Sequence, residues 1–204
     1  MKLLHIDASA LGAYSVSRGL TSAIVAEFTR NHPGLEVTYR DLHADPLSHW
    51  ALPAGENDPA AAESDKVMEE FLAADVVVIG APMYNFSISS SLKAWIDRIA
   101  VAGKTFRYTA AGPEGLAGGK RVIIASSRGG IYADGTPAAG MDFQEPYLRA
   151  VLGFLGVTDI EFVRAEGVAR GDEQKTAAIG NAVAGISGLL GIEEQPIDFH
   201  EGKT

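Results

Sequence analysis

The chain has 204 residues, 47% of them hydrophobic, a formal net charge of −9 and no cysteine. That length leaves room for one domain with a sizeable core. The negative balance argues against nucleic acid or an anionic membrane as a partner, and the missing cysteine excludes thiol catalysis, disulfides and thiolate-held metal centres.

The start, "MKLLHIDAS", is a short apolar run containing His5 and Asp7. It reads as a first strand, Lys2–Ala8, not as a signal peptide. No apolar run approaches membrane-spanning length, so a cytoplasmic protein is the expectation. A helix-like stretch, Ser17–His32, follows and closes at Pro33-Gly34, and a second strand spans Glu36–Leu42. Ala44–Glu63, rich in Pro, Ala and Asp, is expected to be a surface excursion, with Ser64 capping a helix that runs to Ala74. The third strand, Asp75–Pro82, and the fourth, Arg121–Ser127, are almost continuous Val and Ile, as strands covered on both faces require. Between them lie a helix, Ser89–Gly103, and a long loop or hairpin, Lys104–Gly119, with Phe106 and Tyr108 near its start. After the fourth strand come the Gly-, Ala- and Pro-rich loop Ile131–Gln144 and a helix, Pro146–Gly156. The fifth strand, Thr158–Val168, leads into a glycine-weakened helix from Asp172 and a tail, 193–204, expected to be loose.

Strand and helix alternate throughout, without a repeat or an interdomain linker. The expectation is a single α/β domain over 1–204: a five-stranded parallel sheet between helix layers, in the flavodoxin-like order 2-1-3-4-5. Ligands of such sheets bind beyond the carboxyl ends of the strands, where the loops after strands 1, 3 and 4 converge. The first, "DASALGAYSVSRG", offers Ser9, Ser15 and Ser17 at a helix start, an anion site that needs no metal, with Arg18 placed to add charge. Serines also cap helices without any ligand. The third loop carries Met83, Tyr84, Asn85 and Phe86, which wall a planar ring and hydrogen-bond its edge, or else form a hydrophobic staple or an interface. The fourth, "SSRGGIYADG", has Gly129 and Gly130, which let a flat ligand approach the backbone or simply make a turn. Together the three outline an FMN site.

Other readings fail on their spacing. "GLAGGKR" would be a phosphate-binding P-loop only with Gly in place of Glu114 and Ser or Thr in place of Arg121. No G-x-G-x-x-G follows a strand, and the five histidines show no metal-ligand spacing, so no metal site is expected. His5 reads as a structural histidine.

The segments "APMYNFSIS", "TFRYTAAGPEGL", "SSRGGI" and "PYLRAVLGFLGVTD" stand in an order that resembles the bacterial FMN-dependent NADH:quinone oxidoreductases, also called FMN-dependent NADH azoreductases. The resemblance covers nearly the whole chain. It implies that Ser9, Ser15, Val16 and Ser17 hold the FMN phosphate. It also implies that Met83, Tyr84, Asn85 and Phe86, with Ser127, Arg128, Gly129 and Gly130, line the isoalloxazine. It further implies a homodimer whose substrate slot over the flavin is shared between subunits and bordered by Tyr108 and Phe154. Ala44–Glu63 is shorter, and Ile131–Gln144 longer, than the corresponding family segments, which bears on substrate entry.

The implied activity is two-electron, ping-pong transfer from NADH or NADPH to quinones, and reductive cleavage of aromatic azo compounds, with the flavin as reactive centre and no side chain required as acid or base. Two other readings are an electron-carrier flavoprotein without a substrate slot, and a non-redox nucleotide-binding domain whose aromatics form an interface.

Overall fold

The computed structural model describes residues 1–52 and 59–189. In chain order its regular elements are β1 (Lys2–Asp7), α1 (Val16–Asn31), β2 (Glu36–Asp41), α2 (Pro59–Ala73), β3 (Val76–Pro82) and α3 (Ser90–Ile99). A hairpin of β4 (Phe106–Thr109) and β5 (Gly112–Gly115) follows, then β6 (Arg121–Arg128), α4 (Glu145–Phe154), β7 (Asp159–Glu166) and α5 (Asp172–Leu189).

Five strands form one parallel sheet in the order β2-β1-β3-β6-β7. With β6 and β7 as the fourth and fifth major strands, this is the expected 2-1-3-4-5 topology of a flavodoxin-like sheet. Alternation along each strand splits the core into two layers. Leu4, Ile6, Val77, Ile79, Val122 and Ile124 pack with residues of α2, α3 and α4. Leu3, Val76, Val78, Ile123 and Ala125 pack against α1 and α5 through Leu20, Ile24, Phe28, Ala178 and Ile186. Each fully buried side chain of this size contributes about 1.5–3 kcal/mol. The same alternation carries beyond the apolar runs. His5 and Asp7 continue the α1/α5 face of β1, and the odd- and even-numbered residues at the end of β6 must point to opposite faces.

The segment Lys104–Gly119 resolves into the β4–β5 hairpin, antiparallel and separate from the main sheet. Two glycines let it dock backbone to backbone on the end of α4: a Cβ on Gly115 would lie 2.1 Å from the Gly156 nitrogen. The Ala117 N–H donates to the Leu155 carbonyl at 2.8 Å. Phe106 then packs on Phe154, ring centroids 4.6 Å apart, and edge-on against Tyr108 at 5.6 Å.

Two local expectations need correction. Ser64 does not cap a helix. It lies inside α2, where its Oγ donates to the Ala60 carbonyl and accepts from Arg98 Nη1, both at 2.7 Å. A half-buried serine beside an arginine bonds back to its own helix instead of marking its start. The excursion after Ala44 is accordingly shorter than read, with 59–63 helical and 53–58 outside the described residues. Helix α3 also ends at Ile99, earlier than expected, because Thr105 Oγ1 donates to the Ile99 carbonyl at 2.6 Å and turns the chain. The expected loose tail, 193–204, lies outside the described residues.

Candidate active site

The loop after β1 sets up the start of α1. Residues Gly12–Tyr14 make one turn of 3-10 helix, and Ser15 is the N-cap, its Oγ accepting the Arg18 N–H at 3.3 Å and lying 3.1 Å from Ser17 Oγ. Among the described residues no acceptor meets the N–H of Val16 or Ser17. Such first-turn amides have no partner within their own helix, and they concentrate positive potential. Ser9 is buried, with its Oγ accepting the Leu11 N–H and lying 3.3 Å from Tyr84 Oη. Tyr84 Oη also accepts the Ala10 N–H at 3.0 Å. The third loop is thereby tied to the first across the top of the sheet.

After β3 the chain turns within four residues. Tyr84 and Ser87 exchange both backbone hydrogen bonds, at 2.9 and 3.1 Å, with Asn85 and Phe86 at φ of 49° and 72° between them. Two successive positive φ values are the signature of a type I′ turn. Asn tolerates this conformation; Phe does so only under constraint. Two contacts supply that constraint: the Phe143 N–H donates to the Phe86 carbonyl at 3.0 Å, and the Phe86 ring meets Tyr132 edge-on at 6.3 Å. Loop Ile131–Gln144 thus braces the strained turn.

A cavity of about 290 Å³ opens at this end of the sheet. It is walled by Ser9, Ser15 and Val16 on one side, Met83 and Tyr84 on another, and Ser127 and Gly129 at the edge of β6. Sequence reasoning missed the rest of its lining: Leu11, Tyr14, Pro82, Val168, Ala169 and Lys175. The loop after β7, which carries Val168 and Ala169, gave no sequence signal, because its role depends on α5 packing beside α1. Ser17 contributes its backbone amide only, since its side chain is fully buried and bonded to Ser15. Asn85 and Phe86 follow Tyr84 beyond the lining, both exposed. Gly130 borders a neighbouring apolar hollow with Ile131, Thr136, Pro137 and Arg170. Tyr108 and Phe154 are not in the cavity wall of their own chain; each packs on Phe106, Tyr108 from the hairpin and Phe154 from the end of α4, with Tyr108 76% exposed.

Two arginines expected at the ligand turn away from it. Arg18 spends its guanidinium on Asp41, at 2.7 Å through each Nη, and on the Ser9 carbonyl at 2.9 Å. These hydrogen bonds hold Asp41 far below the usual carboxylate range, against its partial burial. Asp7 lies underneath, accepting from Thr21 Oγ1 at 2.9 Å and Tyr39 Oη at 3.1 Å, with His5 Nε2 at 3.5 Å. Burial pushes its pKa up, but the His5 contact and the two hydroxyl donors outweigh that and leave it lowered.

Arg128 departs further. It follows cavity-lining Ser127 and therefore points to the opposite, α4 face of the sheet. There it is 2% exposed among carboxylates, with Nη1 3.0 Å from Glu166 and Nη2 2.9 Å from Asp142 and 2.5 Å from Glu145. Its Nε donates to Ser126 Oγ at 3.0 Å and Gln144 Oε1 at 3.2 Å, and Gln144 in turn donates to the Ala81 carbonyl at 2.9 Å. Arg128 therefore does not line the ring site with its side chain; it braces the loops that do.

The cavity fits a phosphate-bearing flat ligand on the geometry alone. Free helix-start amides and hydroxyls lie at one end, Met83 and Tyr84 form an apolar wall, and the wall contains no carboxylate in a strongly acidic chain. The comparisons agree. A profile of the flavodoxin-like fold matches residues 1–190. A Xanthomonas axonopodis protein named FMN-dependent NADH:quinone oxidoreductase 1 is 64% identical over 92% of this chain and 96% of its own length. The chain belongs to the flavodoxin-like family of FMN-dependent NADH:quinone oxidoreductases and azoreductases. A Methylocella silvestris member with the oxidoreductase name is 54% identical, over 89% of this chain and 95% of its own. A Bacillus anthracis azoreductase structure superposes with a TM-score of 0.83 at 32% identity, covering 93% of this chain and 98% of that one. A second azoreductase from that species, solved with FMN, gives 0.81 at 26% identity, over 92% and 98% of the two chains.

Proposed function

We propose that this chain is an FMN-dependent NADH:quinone oxidoreductase that also cleaves aromatic azo compounds, accepting NADH or NADPH. The observation that carries the reading is the single cavity in which unpartnered helix-start amides, the Met83–Tyr84 wall and the Ser127–Gly129 edge come together. FMN, when bound, supplies the hydride chemistry. The chain's own residues bind and orient. The Val16 and Ser17 amides and the Ser9 and Ser15 hydroxyls take the phosphate. Met83 and Tyr84 would wall the ring, and Ser127 and the Gly129 backbone would hold its edge. Asn85, in the strained turn that follows Tyr84, would offer its carboxamide to the ring edge, and Phe86 with Tyr132 holds that turn. Names given to the relatives leave the electron-carrier reading without support.

The slot is completed by a second copy. Tyr108 on the hairpin and Phe154 at the end of α4 both pack on Phe106, away from their own cavity, and the exposure of Tyr108 supports the reading that it borders a partner's slot. A cytoplasmic location goes with the proposal because that compartment supplies NADH. Among the described residues no helix is long and apolar enough to cross a membrane.

The test is the visible spectrum of the protein loaded with FMN, followed through anaerobic NADH and then benzoquinone. Bleaching by NADH and recovery with quinone are expected. A protein that takes up no FMN, or whose spectrum NADH leaves unchanged, overturns the reading. Sedimentation is expected to give a dimer, and Tyr108→Ala to raise the quinone KM several-fold with FMN affinity unchanged.

A further inference from the structure

Lys175 stands on α5, which the site motifs never reach, yet its side chain lines the cavity beside Ser9, Ser15 and Val16. It is the one lysine or arginine in that lining, and no aspartate or glutamate shares the wall with it. In a chain of net charge −9 that is a local reversal of sign. The neighbouring cation is already spent: Arg18 is fixed on Asp41 and the Ser9 carbonyl. The Lys175 ammonium, by contrast, makes no hydrogen bond or ion pair with any described residue. The hydroxyls and helix-start amides opposite it are neutral groups, which compensate a phosphate dianion only in part. A flexible four-carbon stem carrying a point charge suits such a group.

We propose that Lys175 is the charged contact of this cavity and that it pairs with a ligand phosphate. The proposal rests on the functional reading above, in which two ligands bring phosphate to the site: the monophosphate of FMN and the diphosphate of NADH. Both present the same anionic oxygens to the ammonium, and the experiment separates them.

The experiment uses the Lys175→Met protein, which keeps the stem and removes the charge, with Lys175→Arg as the charge-retaining control. FMN and riboflavin are each titrated into apoprotein by fluorescence, and NADH and quinone kinetics are measured on the FMN-loaded enzyme. If the partner is the FMN phosphate, Lys175→Met weakens FMN about tenfold, the scale of one charge-assisted hydrogen bond. Riboflavin, which lacks the phosphate, binds as to the wild type. If the partner is the NADH diphosphate, FMN affinity is unchanged and the NADH KM rises several-fold with kcat and the quinone KM held. Added salt erodes either effect in the wild type, and Lys175→Arg restores most of it. The proposal is overturned if neither quantity moves, or if FMN and riboflavin weaken equally, which would make Lys175 a wall of the cavity with no anion to meet. Failure of the functional reading looks different: wild-type protein itself would bind no FMN.

Discussion

Arg18 and Arg128 stand at the same end of the sheet, each beside backbone that borders the cavity, and each is turned inward; yet they do different work. Arg18 lies on the α1/α5 face with its side chain 15% exposed, and it joins β1, α1 and β2 through the Ser9 carbonyl and Asp41. It is a local brace for one loop. Arg128 lies on the α4 face, 2% exposed, and touches three carboxylates from three separate segments. Glu166 also accepts the Tyr132 N–H at 2.9 Å, Asp142 accepts the Gln144 N–H at 2.9 Å, and Glu145 takes Arg164 at 2.6 Å. One side chain thus fastens the end of β6, the end of β7, the start of α4 and the whole loop that braces Phe86. The difference teaches that the helix-start end of the cavity is held by a partly solvated, separable clamp, while the aromatic end depends on a buried ion network in which no member can be lost cheaply.

The sharpest test of that contrast is to remove each guanidinium. Arg128→Met leaves Asp142, Glu145 and Glu166 without their shared cation, and removing one partner of a buried ion network costs about 3–5 kcal/mol. Urea denaturation is expected to show that loss, and Arg128→Lys is expected to recover only part of it, because an ammonium cannot meet all three carboxylates and Gln144 at once. Arg18→Met is expected to cost less, about 2 kcal/mol, since Asp41 can hydrate. Its effect on FMN affinity, read by titration of apoprotein, should be proportionately larger, because the Ser9 carbonyl loses both of its guanidinium donors. Equal stability losses for the two variants would erase the distinction.

Acid pH sharpens the same comparison from the Arg18 side. Asp41 and Asp7 have pKa values lowered on folding. A carboxylate lowered in this way contributes stability that is fully present above its unfolded pKa of about 3.9, and that is lost as pH falls through the folded value. Wild-type protein is therefore expected to hold this contribution in full down to about pH 4 and to lose it progressively below that. In Arg18→Met the part of the Asp41 share that comes from Arg18 should be missing already at neutral pH, with the His43 and Ala44 N–H donors still in place, so the stability difference between the two proteins narrows as pH drops. A difference that stays constant from pH 7 to pH 3 would show that Asp41 is not the partner that matters.

A smaller effect comes from glycines that guard the two regions. A Cβ on Gly80 would meet Asp7 Oδ1 at 2.7 Å and Thr21 Cγ2 at 3.2 Å, both of them fixed by their mutual hydrogen bond. Gly80→Ala is expected to cost about 1–3 kcal/mol. The nearest atoms to a Cβ on Gly130 all belong to the Tyr132 side chain, at 3.1 Å. That ring can swing away, so Gly130→Ala should cost little stability and should instead change the quinone KM by unseating Tyr132 from Phe86.

Much of this was legible in the sequence. Continuous Val and Ile runs separated by helix-like stretches suffice for a parallel sheet between helices, its order coming from the likeness to the flavodoxin-like pattern, and clustered serines mark the start of α1 without saying whether they cap it or hold a ligand. Arg128 shows what was legible but missed: in a strand, neighbours face opposite ways, so a cavity-lining Ser127 already implies that Arg128 faces elsewhere. Arg18 is of another kind. Nothing local ties it to Asp41, 23 residues away, because that contact exists only once β2 pairs with β1. Lys175 and the loop of Val168 and Ala169 were illegible for the same reason: they reach the cavity only through the packing of α5 beside α1.

Asn85 gives a small expected change in stability and tests whether the aromatic end is built for a ligand or only for its own turn. At φ of 49° an alanine is strained and a glycine is not. If backbone conformation is all that Asn85 supplies, Asn85→Ala loses about 1 kcal/mol of stability and some FMN affinity, and Asn85→Gly loses neither. If its carboxamide meets the ring edge, as proposed, both variants lose FMN affinity or shift the flavin potential to the same extent, while only the alanine loses stability. The two readouts therefore part company at one residue. Glycine that binds FMN like the wild type, at an unchanged potential and rate, would reduce Asn85 to a turn former and leave the ring edge to Ser127 and the Gly129 backbone.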